Sequence, residues 1–190
     1  SVKKKLTRLK VAPMISSNPK DIERADKLIL PGVGHFQKAM ENLAQLNLLD
    51  ALHEVVLEKK KPVLGICLGM QLMTNKSEEG AATGLGWIDA EVVRFNVQHT
   101  KRFKVPHMGW NSVINRKESV LMNGLPEKTS FYFVHAYHCI ANRPEDVLHE
   151  TTYEYTFTSA FERENIFGVQ YHPEKSHDIG ELLLKNFINL

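Results

Sequence analysis

Apolar positions in the first part of the chain recur at two periods. Val2, Leu6 and Leu9 fall on one side of a helix, and Lys3, Lys4, Lys5, Arg8 and Lys10 on the other. This predicts a helix over Val2–Leu9 with a solvated basic face. Asn18-Pro19 supplies an N-cap and a first-turn proline for a second helix. Lys27–Leu30 is a short apolar run stopped by Pro31-Gly32, which reads as a buried strand. Phe36–Leu46 and Leu48–Glu58 return to helical spacing. Lys59, Lys60 and Lys61 close the second of these, where cations suit a helix C-terminus. Pro62–Cys67 is another buried strand, and Gly69–Thr74 resumes a helical pattern.

The second half changes character. Trp87–Phe95, Lys104–His107, Phe131–Ala141 and Thr151–Phe161 are rich in β-branched and aromatic residues and read as strands. Ile166–Tyr171 is one more apolar strand, and Ile179–Asn189 an amphipathic helix. Strand–helix alternation, then strands, then a helix predicts an α/β fold: a largely parallel central sheet with antiparallel additions. With no repeat, linker or low-complexity stretch, residues 1–190 read as a single domain.

Composition narrows the class. The 190 residues are 43% hydrophobic and 24% charged, an ordinary globular balance. A chain of this length buries a core without metal or disulfide staples. The 24 basic residues against 22 acidic leave a net charge of +2, without the excess that drives nucleic-acid binding. No apolar run approaches the roughly 18 residues of a membrane span. The basic run Ser1–Lys10 has no apolar core after it, so a signal peptide is not expected. Cys67 and Cys139 are the two cysteines, and an intracellular, cytoplasmic protein with reduced thiols is the expectation.

Gly65-Ile66-Cys67-Leu68-Gly69 carries the strongest chemical signal. It is a Gly-x-nucleophile-x-Gly elbow with cysteine at the nucleophile position, between a strand pattern and a helix pattern. So tight a turn strains the nucleophile's backbone and leaves no room for side chains at the flanking positions. It exposes the sulfur beside a helix N-terminus, which favours thiolate, and aims the Leu68 amide where an oxyanion would form. A buried structural cysteine fits the same stretch. A thiol nucleophile needs a base, and the base an orienter. Among nine histidines, His172 stands at a predicted strand end, followed by Pro173 and Glu174, so one tripeptide offers both. The alternative is a surface turn.

Gly65–Gln71 together with His172-Pro173-Glu174-Lys175-Ser176 resembles the class I (triad) glutamine amidotransferases. Leu30–Phe36, Pro106–Asn111 and Phe131–Tyr137 are similar, in the same order, to the glutaminase subunits of imidazole glycerol phosphate synthases. The resemblance implies a flavodoxin-like three-layer fold, mostly parallel with antiparallel additions, for a glutaminase that makes glutamate and ammonia. The ammonia passes to a (β/α)8 cyclase partner in a heterodimeric, lyase-type synthase of histidine biosynthesis. It implies Cys67 as nucleophile, His172 as base and then acid, and Glu174 as its orienter. It further implies Val33, Gly34 and Leu68 at the oxyanion, Gly32, Gln71 and Tyr137 around bound glutamine, and Met108, Trp110, Tyr132 and Lys175 at the partner interface. Chains of that family begin with a buried strand and an Asp-Tyr-Gly-x-Gly-Asn turn. Neither occurs here, so the first strand is expected to be missing from this chain.

Two other readings stay open: the same chemistry feeding a surface-sugar amidotransferase, and a catalytically silent interaction subunit. No cofactor is expected, and no metal. Cys-x-x-Cys and His-Glu-x-x-His are absent, and His135 and His138 on one strand would point to opposite faces.

Overall fold

The computed structural model describes residues 2–190; Ser1, at the head of the basic run, lies outside the described residues. The first described element is helix α1 (Val2–Arg8), which buries Leu6 and exposes Lys3 and Lys4; Lys5 departs from the solvated face expected of it and pairs with Glu181 at 3.1 Å. Helix α2 (Pro19–Arg24) starts as its sequence predicts, with Asn18 Oδ1 accepting from the Lys20 amide at 3.0 Å. Strand β1 (Leu28–Gly32) is followed by α3 (Phe36–Gln45) and α4 (Leu49–His53), the latter continuing as a π turn over Glu54–Glu58. Strand β2 (Val63–Cys67), buried throughout, runs straight into α5 (Leu68–Leu72). Short strands β3 (Lys76–Ser77) and β4 (Ala82–Thr83) precede β5 (Ala90–Arg94). The strand-rich half holds β6 (His107–Asn115), β7 (Thr129–His135), β8 (Tyr137–Ala141), β9 (Val147–Thr152), β10 (Thr156–Arg163) and β11 (Ile166–Val169), and α6 (His177–Ile188) closes the chain.

The main path of the sheet runs β1-β2-β11-β10-β8-β5-β3-β4, with β6, β7 and β9 forming a flap off it. The parallel part that carries the site is β1, β2 and β11. The antiparallel additions begin at β10 and make up most of the remaining pairing. β2 separates two cores. Val63 faces one, with Phe36, Val55, Met70 and Phe161. Leu64 and Ile66 face the other, with Phe131, Phe133, Tyr171 and Leu184.

Four expectations need correction. Pro31-Gly32 does not stop the first strand: both residues pair with β2, Pro31 opposite Ile66 and Gly32 opposite Cys67. β1 stands at the end of the sheet, so the amide that proline lacks interrupts no second ladder. Lys104–His107 is not a strand; pairing starts at His107, after Pro106, and runs on to Asn115. Phe131–Ala141 is two strands broken at Ala136, where the chain leaves the flap for the main sheet. Thr151–Phe161 is likewise a hairpin, β9 and β10, turning through residues 153–155. The apolar pattern is continuous through both breaks, so periodicity does not register them.

Candidate active site

The elbow forms as its spacing demands. β2 ends at Cys67 and α5 begins at Leu68, with no residue between. Cys67 takes φ 54° and ψ −111°, a conformation that costs an L residue about 1–3 kcal/mol and persists only where its surroundings impose it. The flanking glycines are what permit it. A Cβ on Gly69 would lie 1.6 Å from the Leu30 carbonyl oxygen, and one on Gly65 would lie 2.7 Å from the Met70 amide nitrogen. The close approach of β1 to α5 therefore holds the elbow together. That approach also lays Gly32 across from Cys67 and against Leu68. Val33, next along, is 81% exposed, and Gly34 has φ 113°.

His172 follows β11, the strand on the other side of β2. Its amide donates to the Tyr132 carbonyl at 2.9 Å. Ser176 Oγ donates to the His172 carbonyl at 2.7 Å and accepts from the Tyr132 amide at 3.0 Å. His172 Nδ1 lies 2.8 Å from Glu174 Oε1, and both side chains are buried. The carboxylate sets the tautomer: Nδ1 carries a hydrogen and Nε2 faces the site. Nε2 is buried with no hydrogen-bond partner in the protein. Burial works to lower the imidazole's pKa, but the nearby Cys67 and the hydrogen-bonded Glu174 outweigh it and hold it at about 9. Burial pushes Glu174 the other way, and His172 more than offsets it, leaving the carboxyl below its usual value.

The structure thus brings Cys67, His172, Glu174, Leu68 and Gly32 to the ends of three adjacent parallel strands. Gln71 and Tyr137 join them: Gln71 Nε2 donates to the Tyr137 carbonyl at 3.1 Å and to Gln170 Oε1 at 3.0 Å. Both amide hydrogens of Gln71 are thereby engaged within the protein. Its oxygen has no such engagement among the described residues. Gln170 and Ser176 are site residues that sequence reasoning missed. Gln170 sits two positions before His172, inside a strand pattern, and its spacing alone distinguishes nothing.

Met108, Trp110, Tyr132 and Lys175 share one outer face. Trp110 pairs with Tyr132 across β6 and β7. Met108 is 62% and Trp110 49% exposed. The Lys175 ammonium lies 5.9 Å from the Tyr132 ring centre, and Trp110 stacks on His177 at 5.2 Å. His177 is a further member of this face that sequence reasoning missed.

His135 and His138 correct one expectation. They do not point apart: Phe95 lies against both rings, at 5.2 and 4.6 Å. The break at Ala136 cancels the strand alternation between them. Burial lowers the pKa of each and keeps both imidazoles neutral. Among the described residues no cluster of histidine, cysteine and carboxylate side chains suits a metal, and no helix is long and apolar enough to cross a membrane.

A family model described as Glutamine amidotransferase class-I matches residues 1–190. The chain is 47% identical over 190 residues to Imidazole glycerol phosphate synthase subunit HisH 2 of Pseudomonas aeruginosa, covering 100% of this chain and 93% of that one. It is 47% identical over 188 residues to the subunit of the same name from Methanococcus maripaludis, covering 99% and 92%. A crystal structure of a glutamine amidotransferase matches with a TM-score of 0.71 at 18% identity, over 99% of this chain and 90% of that one. At that identity the match shows the fold alone.

Proposed function

Because the chain belongs to the class I glutamine amidotransferase family, we propose that it is the glutaminase subunit of an imidazole glycerol phosphate synthase in histidine biosynthesis. Cys67 attacks the carboxamide carbon of the glutamine side chain. The oxyanion that forms is held by the Leu68 amide and by backbone donors of the Val33–Gly34 segment; each such donor is worth roughly 2.7–4 kcal/mol in acyl transfer. His172 then protonates the departing nitrogen, which leaves as ammonia, and a γ-glutamyl thioester remains on Cys67. In the second half His172 takes a proton from water, which attacks the thioester and releases glutamate.

One observation carries this reading. A cysteine strained at a strand–helix elbow shares its pocket with an imidazole whose other nitrogen is 2.8 Å from a buried carboxylate. A structural cysteine needs neither feature, and a silent subunit does not need the three groups together.

The partner is proposed to be a (β/α)8 cyclase, joined as a heterodimer in the cytoplasm through the face of Met108, Trp110, Tyr132 and Lys175. Large exposed aromatics anchor interfaces. This face is tied to the site, since Tyr132 holds the His172 backbone directly at its amide and through Ser176 at its carbonyl. The test is glutamate release from glutamine, with and without the cyclase and its nucleotide substrate. Release that rises with the loaded cyclase and vanishes in Cys67→Ala is expected. No release from the folded complex would contradict the reading.

A further inference from the structure

We propose that Gln170 is a further catalytic residue: its side-chain amide donates a hydrogen to the Cys67 sulfur and stabilises the thiolate. The proposal rests on Cys67 being the nucleophile and goes beyond the triad.

Gln170 is fully buried. Its Nε2 lies 3.6 Å from Cys67 Sγ, within hydrogen-bond range for sulfur. An isolated carboxamide could present either end to the sulfur, and the surrounding hydrogen bonds decide which. The Tyr137 carbonyl can only accept, so the Gln71 atom 3.1 Å from it must be the NH2 group. The same NH2 faces Gln170 at 3.0 Å, so Gln170 must offer its oxygen there. Its own NH2 is left to face the sulfur. A flipped Gln170 would set two NH2 groups against each other.

The anchor is itself held. His135 Nδ1 donates to the Tyr137 carbonyl at 2.7 Å, which leaves His135 Nε2 to accept from His107 Nδ1 at 3.1 Å. His107 Nε2 then accepts from Asn111 at 3.3 Å. Burial lowers the pKa of both histidines, that of His107 to about 4, so the chain stays neutral with its donors all pointing inward. The Tyr137 carbonyl thus accepts from His135 on one side and from Gln71 on the other, and it is the fixed acceptor from which the orientations of both follow.

The groups facing the sulfur are few. The Val134 carbonyl, at 3.9 Å, can accept from a thiol but offers a thiolate nothing. His172, backed by Glu174, supplies positive charge. Cys139 lies within electrostatic reach, and burial drives its pKa up and keeps it a neutral thiol. Gln170 is the neutral donor in this set. It can stabilise negative sulfur without competing for the proton that His172 must later give up.

The test is the rate at which iodoacetamide alkylates Cys67 as a function of pH, followed by peptide mapping, in the absence of glutamine. Wild type is compared with Gln170→Met, which fills the volume without a donor, and Gln170→Ala, which removes the donor with the least steric demand. Thermal unfolding confirms that each variant folds. The alkylation midpoint is expected to rise by about one pH unit or more in both, with kcat falling about tenfold and KM little changed. Should Gln170→Met not fold, Gln170→Ala decides alone. An unchanged midpoint in a folded variant overturns the proposal. Because alkylation needs no turnover, that result would leave the glutaminase reading standing, and absence of glutamate release would not touch the thiolate measurement.

Discussion

Cys67 is strained by its neighbours, not by its own side chain. The φ of 54° exists because β1 presses on α5 at Gly69, where the nearest non-neighbouring backbone atom leaves no space for a methyl group. Gly69→Ala must therefore push β1 away from the elbow, at a cost of about 3 kcal/mol or more, measurable by denaturant unfolding. A loss below 1 kcal/mol would contradict the geometry. The pair His172–Glu174 sets a pH dependence. Folding raises the imidazole from 6.5 to about 9, so its contribution to stability is whole below 6.5 and is lost as pH rises through 9. Glu174 is lowered, so its contribution is present above 4.5 and is lost as pH falls. The difference in thermal midpoint between wild type and His172→Asn should move against the wild type from pH 6.5 to 9; a constant difference would contradict this. At this scale the elbow was legible because sterics leave only glycine at two fixed positions. Gln170 was not legible, because its orientation comes from Gln71 and Tyr137, remote in sequence and brought close by the fold.

At the scale of elements, local chemistry was readable where it acts locally. Asn18 caps α2 through its own side chain. Asn18→Ala should cost about 1 kcal/mol in a denaturant titration, and no measurable loss would show the cap to be idle. Strand ends were harder to read. Whether Pro31-Gly32 ends a strand depends on whether the proline amide is needed by a second ladder, and only the sheet order answers that. The break at Ala136 is invisible to periodicity for a similar reason. β7 and β8 are both apolar, but one pairs with β6 and the other with β5 and β10. That change of partners also turns His135 and His138 toward the same ring, Phe95.

Across the whole molecule, three parallel strands deliver the chemistry and an antiparallel flap carries the exposed aromatics. The two are joined by hydrogen bonds between Tyr132, Ser176 and His172. A cyclase docked on Trp110 and Tyr132 would thus press on the strand that holds the imidazole. Trp110→Ala should weaken cyclase binding by about 2 kcal/mol, about thirtyfold in Kd, measured by titration calorimetry. Unchanged affinity would move the interface elsewhere. The central claim is that glutamine passes through a thioester on Cys67, and hydroxylamine tests it most directly. Added to the complex with glutamine and the nucleotide substrate, it should divert the acyl group to γ-glutamyl hydroxamate, with none formed by Cys67→Ala. Hydroxamate from the Cys67→Ala variant, or glutamate release from the wild type with no hydroxamate at any hydroxylamine concentration, would contradict the account.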